Sequence, residues 1–351
     1  MTDTSLDKTL LTPWWHHVAV MAAYAGTYEI LSSFGTNYWI LTTGLRLTCL
    51  LLVPRRFWAA LAIGELIDIA TTTLPKAALY GIEWETAVLI PHMIFCMPLI
   101  VLMQQRMPLF RRDGQINTSA LLVASLLFAL ALTLRGSIAM SALSMQDGSP
   151  NMLLTGRVIF EWVLGAYLGA LAITPCVLAI RERLLSQKVP LTWSALMRGS
   201  LFRDVLVFQL PIALAMVLAA NYLVEWQGLT YFRTALVFPV VVLSVRYGWH
   251  GTAVSGMISA LFLSATSLDT RDPSLIPTEI LLALAISSWL IWTQKLTPRL
   301  WSYRMAGASA WVALLALIPM RSIRHAFSPQ YLGVDGMRYD VHGQLIGGGH
   351  A

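Results

Sequence analysis

Apolar runs of about twenty residues recur from Trp15 to Met320, separated by short breaks rich in arginine, glycine and proline. A helix needs about 20 mostly apolar residues to cross about 30 Å of hydrocarbon. Run length and breakers together predict helices over 15–34, 38–54, 57–74, 86–105, 119–140, 157–180, 205–223, 232–247, 250–268 and 277–296. The pattern thus predicts an all-α integral membrane protein, a polytopic bundle of ten transmembrane helices, with an eleventh candidate, transmembrane or interfacial, within 301–320. The opening MTDTSLDKTLLTP is polar, carries more acid than base and leads to no small-residue cleavage site, so residues 1–14 are expected to stay as an N-terminal segment.

Composition removes the soluble alternatives. The 351 residues are 57% hydrophobic and only 12% charged, with a mean hydropathy of +0.65, whereas soluble domains run to about a quarter charged residues. The charges also alternate along the chain. One set of loops holds Arg55 and Arg56, then Arg106, Arg111 and Arg112, then Arg181, Arg183, Lys188, Arg198 and Arg203, then Arg246, then Lys295, Arg299 and Arg304. The other set offers only Lys76, Arg135, Arg157, Arg233 and Arg271, partly offset by acids. The positive-inside rule puts the first set, and the N-terminus, in the cytoplasm. The net charge of +6 then belongs to loops beside an anionic leaflet, and nucleic-acid binding is not called for.

Cys49, Cys96 and Cys176 fall in three different predicted helices without metal-ligand spacing and read as small packing residues. The histidines form no metal motif with them, and no serine-protease, metalloprotease or phosphate-cradling glycine motif occurs. No catalytic residue, metal or cofactor is expected.

The informative chemistry is charge inside the apolar runs. In "GLRLTCLLLVPRRFWAALAIGELID", the short Pro54–Phe57 turn makes the second and third helices antiparallel neighbours. Arg46 and Glu65 are equidistant from that turn, about 14 Å along each helix, and should meet at one depth. Asp68 lies one turn beyond Glu65 on the same face. A lone charge at that depth costs several kcal/mol, so a bundle-facing Arg46–Glu65 pair is expected. It reads either as a structural clamp or as the polar floor of a ligand cavity or protonation switch. Glu29, His92 and Glu161 are further candidates to line an internal cavity, whereas Arg233 and Arg246, at the ends of the eighth run, are expected to snorkel outward. Gly165 and Gly169, four apart in "FEWVLGAYLGALAITP", clear one helix face for a close neighbour, within the chain or in a partner. Pro175, Pro239, Gly248 and Gly251 are expected to interrupt helices at a cavity or a tight turn.

Three stretches carry a resemblance: "GLRLTCLLLVPRRFWAALAIGELI", "EWVLGAYLGALAITP" and "FPVVVLSVRYGWHGTAVSGMISALFL". In this order and spacing they resemble the first type of bacterial membrane-associated sensor domain (MASE) and, within it, the membrane half of hexose-phosphate sensor histidine kinases. The resemblance spans roughly residues 15–300 and implies a multi-helix input module that passes a signal to a histidine kinase or a cyclic-dinucleotide enzyme. It implies sensing, not catalysis.

The stretch after Lys295 is too short for a kinase or cyclase fold, so the expected protein is a stand-alone input module, with residues 321–351 a flexible tail. Its partner would be a membrane-embedded or cytoplasmic signalling protein, such as a histidine kinase or a transporter-like receptor, with a small-molecule ligand in the cavity. The alternative is a proton-coupled secondary transporter using the buried acids, although no second half repeats the first.

Overall fold

The computed structural model describes residues 13–33, 40–111, 115–146, 154–186, 199–222, 232–266 and 275–295, and the short pairs 331–332 and 338–339. Nearly all of these residues are helical. Helices α1 (Trp14–Ser33), α2 (Leu41–Leu52) and α3 (Trp58–Thr73) are followed by the short α4 (Ala77–Tyr80) and α5 (Ile82–Val88). Next come α6 (His92–Arg106), α7 (Thr118–Ser141), α8 (Gly156–Ser186) and α9 (Ser200–Asp204), the last running through a π-turn at Val205–Gln209 into α10 (Leu210–Tyr222). Finally α11 (Val237–Tyr247), α12 (Trp249–Ala265) and α13 (Ile276–Lys295) close the bundle. The tail contributes one two-residue antiparallel pairing, Tyr331–Leu332 with Arg338–Tyr339. The eleventh candidate helix lies outside the described residues.

Each of the ten expected runs has a helical counterpart, and six stretches are long and apolar enough to cross a bilayer: Arg55–Tyr80, Ile82–Arg106, Thr118–Ser141, Gly156–Leu185, Ser200–Ala220 and Ile276–Thr293. Leu41–Leu52 and Thr234–Tyr247 are apolar but shorter. Their central burial explains how short helices persist here, because a helix enclosed by protein need not match the hydrocarbon thickness.

The 31-residue α8 is the axis of the bundle. It packs on α2, α7, α12 and α13, and two apolar cores share it. One core gathers Leu168, Leu171, Val240, Leu263, Ile286 and Trp289. The other gathers Tyr24, Leu47, Leu61, Met93, Phe128 and Leu178.

Glycines decide where α2 and α12 can approach their neighbours. A Cβ on Gly169 would lie 2.2 Å from the Ile40 carbonyl oxygen, and one on Gly44 would lie 2.4 Å from the Gly169 carbonyl oxygen. The Ile40 N–H donates to the Gly165 carbonyl at 3.4 Å. The Gly165/Gly169 face thus packs against the start of α2 within the chain. Thr174 joins the same seam, accepting from Thr48 at 3.1 Å and donating to the Gly44 carbonyl at 3.3 Å. Gly248 turns α11 back into α12 with φ +63°, a left-handed conformation that favours glycine.

The expected interruptions move. Pro175 and Pro239 lie inside the continuous helices α8 and α11, because loss of one N–H donor is tolerable where neighbours pack on the helix. The run expected as a single helix over 86–105 instead breaks at Ile90-Pro91, between α5 and α6. That break builds the site.

Candidate functional site

Breaking a helix inside an apolar bundle strands backbone groups that water would otherwise satisfy. At Pro91 the exposed C-terminal end of α5 and N-terminal end of α6 are met by opposite charges from other helices. Arg135, on α7, directs Nη2 at the carbonyls of Ala87 (3.2 Å), Val88 and Ile90 (3.0 Å). Glu65, on α3, accepts from the Met93 N–H at 3.0 Å through Oε2. A cation at a helix C-terminus and a carboxylate at a helix N-terminus both suit the helix dipole, so α5 and α6 are held apart by the charges that stabilise their ends.

Between those two anchors sits His92. Arg135 Nη1 approaches its Nε2 at 3.2 Å, and its Nδ1 lies 3.0 Å from Glu65 Oε1. An arginine can only donate. Nε2 therefore accepts and Nδ1 carries the hydrogen, which it donates to Glu65. Oε1 of Glu65 also receives Arg46 Nε at 2.6 Å, so the pair expected from the hairpin forms, with Arg46 2% and Glu65 0% exposed. Arg46 further donates through Nη1 to Thr42 Oγ1 at 3.0 Å and through Nη2 to the Tyr28 hydroxyl at 2.5 Å. Its guanidinium also lies 4.9 Å from the Tyr28 ring centroid. The result is one network linking α1, α2, α3, α6 and α7.

The network faces a cavity of about 190 Å³ whose polar lining is Arg46, His92 and Thr133 and whose apolar wall includes Leu132, Gly136, Trp162 and Ala166. Counted along the helices from Leu41, Ser141 and Gly156, the lining residues of α2, α7 and α8 lie about 8–15 Å from those ends, which are the ends away from the Arg55–Arg56 turn.

Of the six polar candidates read from the sequence, Arg46, Glu65 and His92 meet here. Asp68 is buried beside them, one turn beyond Glu65 on α3, while Glu29 is exposed on the bundle flank. Glu161 is buried and pairs with Arg157 at 3.1 Å within α8. Tyr28, Thr42, Thr133 and Arg135 complete the network or its cavity without having been singled out. Arg135 carried a usable signal: grouped with the base-poor loops, it lies within the run 119–140 and is 6% exposed, an intramembrane cation by the criterion that flagged Arg46. Arg233 corrects another expectation. It does not snorkel but is 0% exposed and donates to the Thr266 carbonyl. Arg246 is 60% exposed and pairs with Asp204 at 2.6 Å, as suits a helix end. Among the described residues no group of three His, Cys, Asp or Glu side chains is placed to hold a metal, and the three cysteines are unpaired.

Fold and site together define a helical membrane protein built around an internal charged network and a small polar-floored cavity. The chain belongs to the MASE1 family, membrane-associated sensor domains, whose model matches residues 16–291. No curated relative and no solved structure matches it.

Proposed function

We propose that this protein is a transmembrane sensory input module of bacterial signal transduction, in which the Arg46–Glu65–His92–Arg135 network is the element that registers the signal. The observation that carries this reading is the break at Pro91, where the two helix ends are held by Arg135 and Glu65, and both of these contact His92, which lines the cavity. A change at Arg46 or His92 on the cavity floor reaches the ends of α5 and α6 through the bonds of these residues to Glu65 and Arg135. Such a junction can take two arrangements at modest cost, which is what a switching element requires.

In this reading the bundle has ten spans in the inner membrane, the N-terminus and the Arg55–Arg56 turn are cytoplasmic, and the cavity lies in the outer half. The output passes by contact to a signalling partner, a histidine kinase or a receptor of transporter type.

The test is proximity labelling in intact cells with wild-type protein and Glu65→Gln. The expected result is recovery of one signalling protein whose phosphorylation or cyclic-dinucleotide output differs between the two forms. Proton-driven accumulation of a solute in proteoliposomes, with no signalling protein recovered, would replace this reading with secondary transport.

A further inference from the structure

The cavity holds hydrogen-bonding capacity that the described residues leave unused. A guanidinium has five N–H groups. Arg46 commits Nε to Glu65, one N–H of Nη1 to Thr42 and one of Nη2 to Tyr28. The nearby His92 Nδ1, 3.5 Å from Nη2, points its own hydrogen at Glu65 and cannot accept. One N–H on each terminal nitrogen of a cation 2% exposed is thus left without an acceptor among the described residues.

Thr133 repeats the observation independently. Serines on the same helix fold their hydroxyls back onto carbonyls one turn earlier, Ser125 onto Leu121 at 2.9 Å and Ser137 onto Thr133 at 2.8 Å. The Thr133 hydroxyl, on a residue 5% exposed, makes no such bond and has no partner among the described residues. Burying a polar hydrogen without an acceptor is unfavourable, and here two residues with spare donors, Arg46 and Thr133, line one cavity. No carboxylate lines it among the described residues. The oxygens of Glu65 are taken by Arg46, His92 and Met93. The lining therefore offers donors and positive charge toward the cavity, with the Trp162 ring forming part of the apolar wall.

We propose that the cavity binds a small water-soluble anion, a carboxylate or a phosphate, with Arg46 as its charge partner and the Thr133 hydroxyl as a second donor. This deepens the sensory reading and rests on it. Size limits the ligand: an apolar cavity of about 150 Å³ accepts benzene, so this one suits on the order of ten non-hydrogen atoms. The anion would satisfy the two free N–H groups of Arg46 while leaving its bond to Glu65 in place, and so act on the junction through the guanidinium.

Binding is tested on the purified full chain in lipid nanodiscs, by thermal unfolding and tryptophan emission during titration at constant ionic strength. Sodium phosphate and sodium succinate are the two anion probes, and erythritol is the neutral control. The expected result is saturable stabilisation by at least one anion and none by erythritol; which anion acts separates phosphate from carboxylate recognition. Thr133→Val preserves shape and removes only an unpartnered hydroxyl, so it should fold as well as wild type yet bind about tenfold more weakly, as loss of one charge-assisted hydrogen bond predicts. Gly136→Leu, which places a side chain toward Trp162, should abolish the response.

No saturable response to either anion, an equal response to erythritol, or unchanged affinity in either variant would overturn the proposal. The measurement involves no partner, so its failure leaves the sensory reading to the labelling experiment, and failure of that experiment leaves a measured anion site intact.

Discussion

The bond between Arg46 and Glu65 can be weighed by a double-mutant cycle. Arg46→Met keeps an unbranched apolar stem and removes the charged guanidinium. It leaves the Glu65 carboxylate fully buried, held only by His92 Nδ1 and the Met93 N–H. Removing one partner of a buried ion pair costs about 3–5 kcal/mol, mostly through the charge left behind. The lost bonds to Thr42 and Tyr28 add about 1 kcal/mol each. Glu65→Gln strands Arg46 instead and should cost about 3 kcal/mol, while Gln can still accept from Met93. The double variant buries no unpaired charge from this pair. It should therefore be more stable than the sum of the single losses predicts, by at least about 3 kcal/mol, because that sum counts two stranded charges and the double variant has none. Unfolding in mixed micelles, followed by tryptophan fluorescence, measures all four proteins. Losses that add to within about 0.5 kcal/mol would mean that the two residues do not act as a pair, and the clamp would have to be abandoned.

Three further outcomes follow from the same structure. Arg135→Leu should destabilise the protein by about 2–4 kcal/mol, since it uncovers the carbonyls of Ala87, Val88 and Ile90; amide exchange that stays unchanged around residues 82–95 would contradict the capping role. Gly169→Leu should prevent folding, because even a Cβ there meets the Ile40 carbonyl at 2.2 Å; a monodisperse variant with wild-type melting would show that α2 does not dock on α8. In a background with Cys49, Cys96 and Cys176 replaced by alanine, a cysteine at exposed Gln146 should react with an impermeant thiol reagent in intact cells, and one at exposed Arg56 should not; the reverse pattern would invert the topology.

The sequence by itself determined the class of protein and the Arg46–Glu65 part of the central network. Run length and hydropathy read as membrane helices because the cost of an unsatisfied backbone in hydrocarbon leaves the chain little else to form. Arg46 and Glu65 were legible because they share a hairpin: a short turn fixes the depth of both arms, so spacing alone brings the residues level. Gly165 and Gly169 announced a close contact for a similar local reason, although not with which helix.

What the tertiary structure decided is everything that joins helices distant in the chain. Arg135 meets Ile90, 45 residues away, and Thr133 and Trp162 meet Arg46 across three helices; no local pattern encodes such a meeting. The break at Pro91 was hidden for a related reason. In an apolar run, a proline can sit inside a helix, as Pro175 does in α8, or end one, as Pro91 does. The outcome depends on whether other helices supply charges to the stranded backbone groups. At Pro91 they do, through Arg135 and Glu65, and the position of those two side chains is a property of the packed bundle.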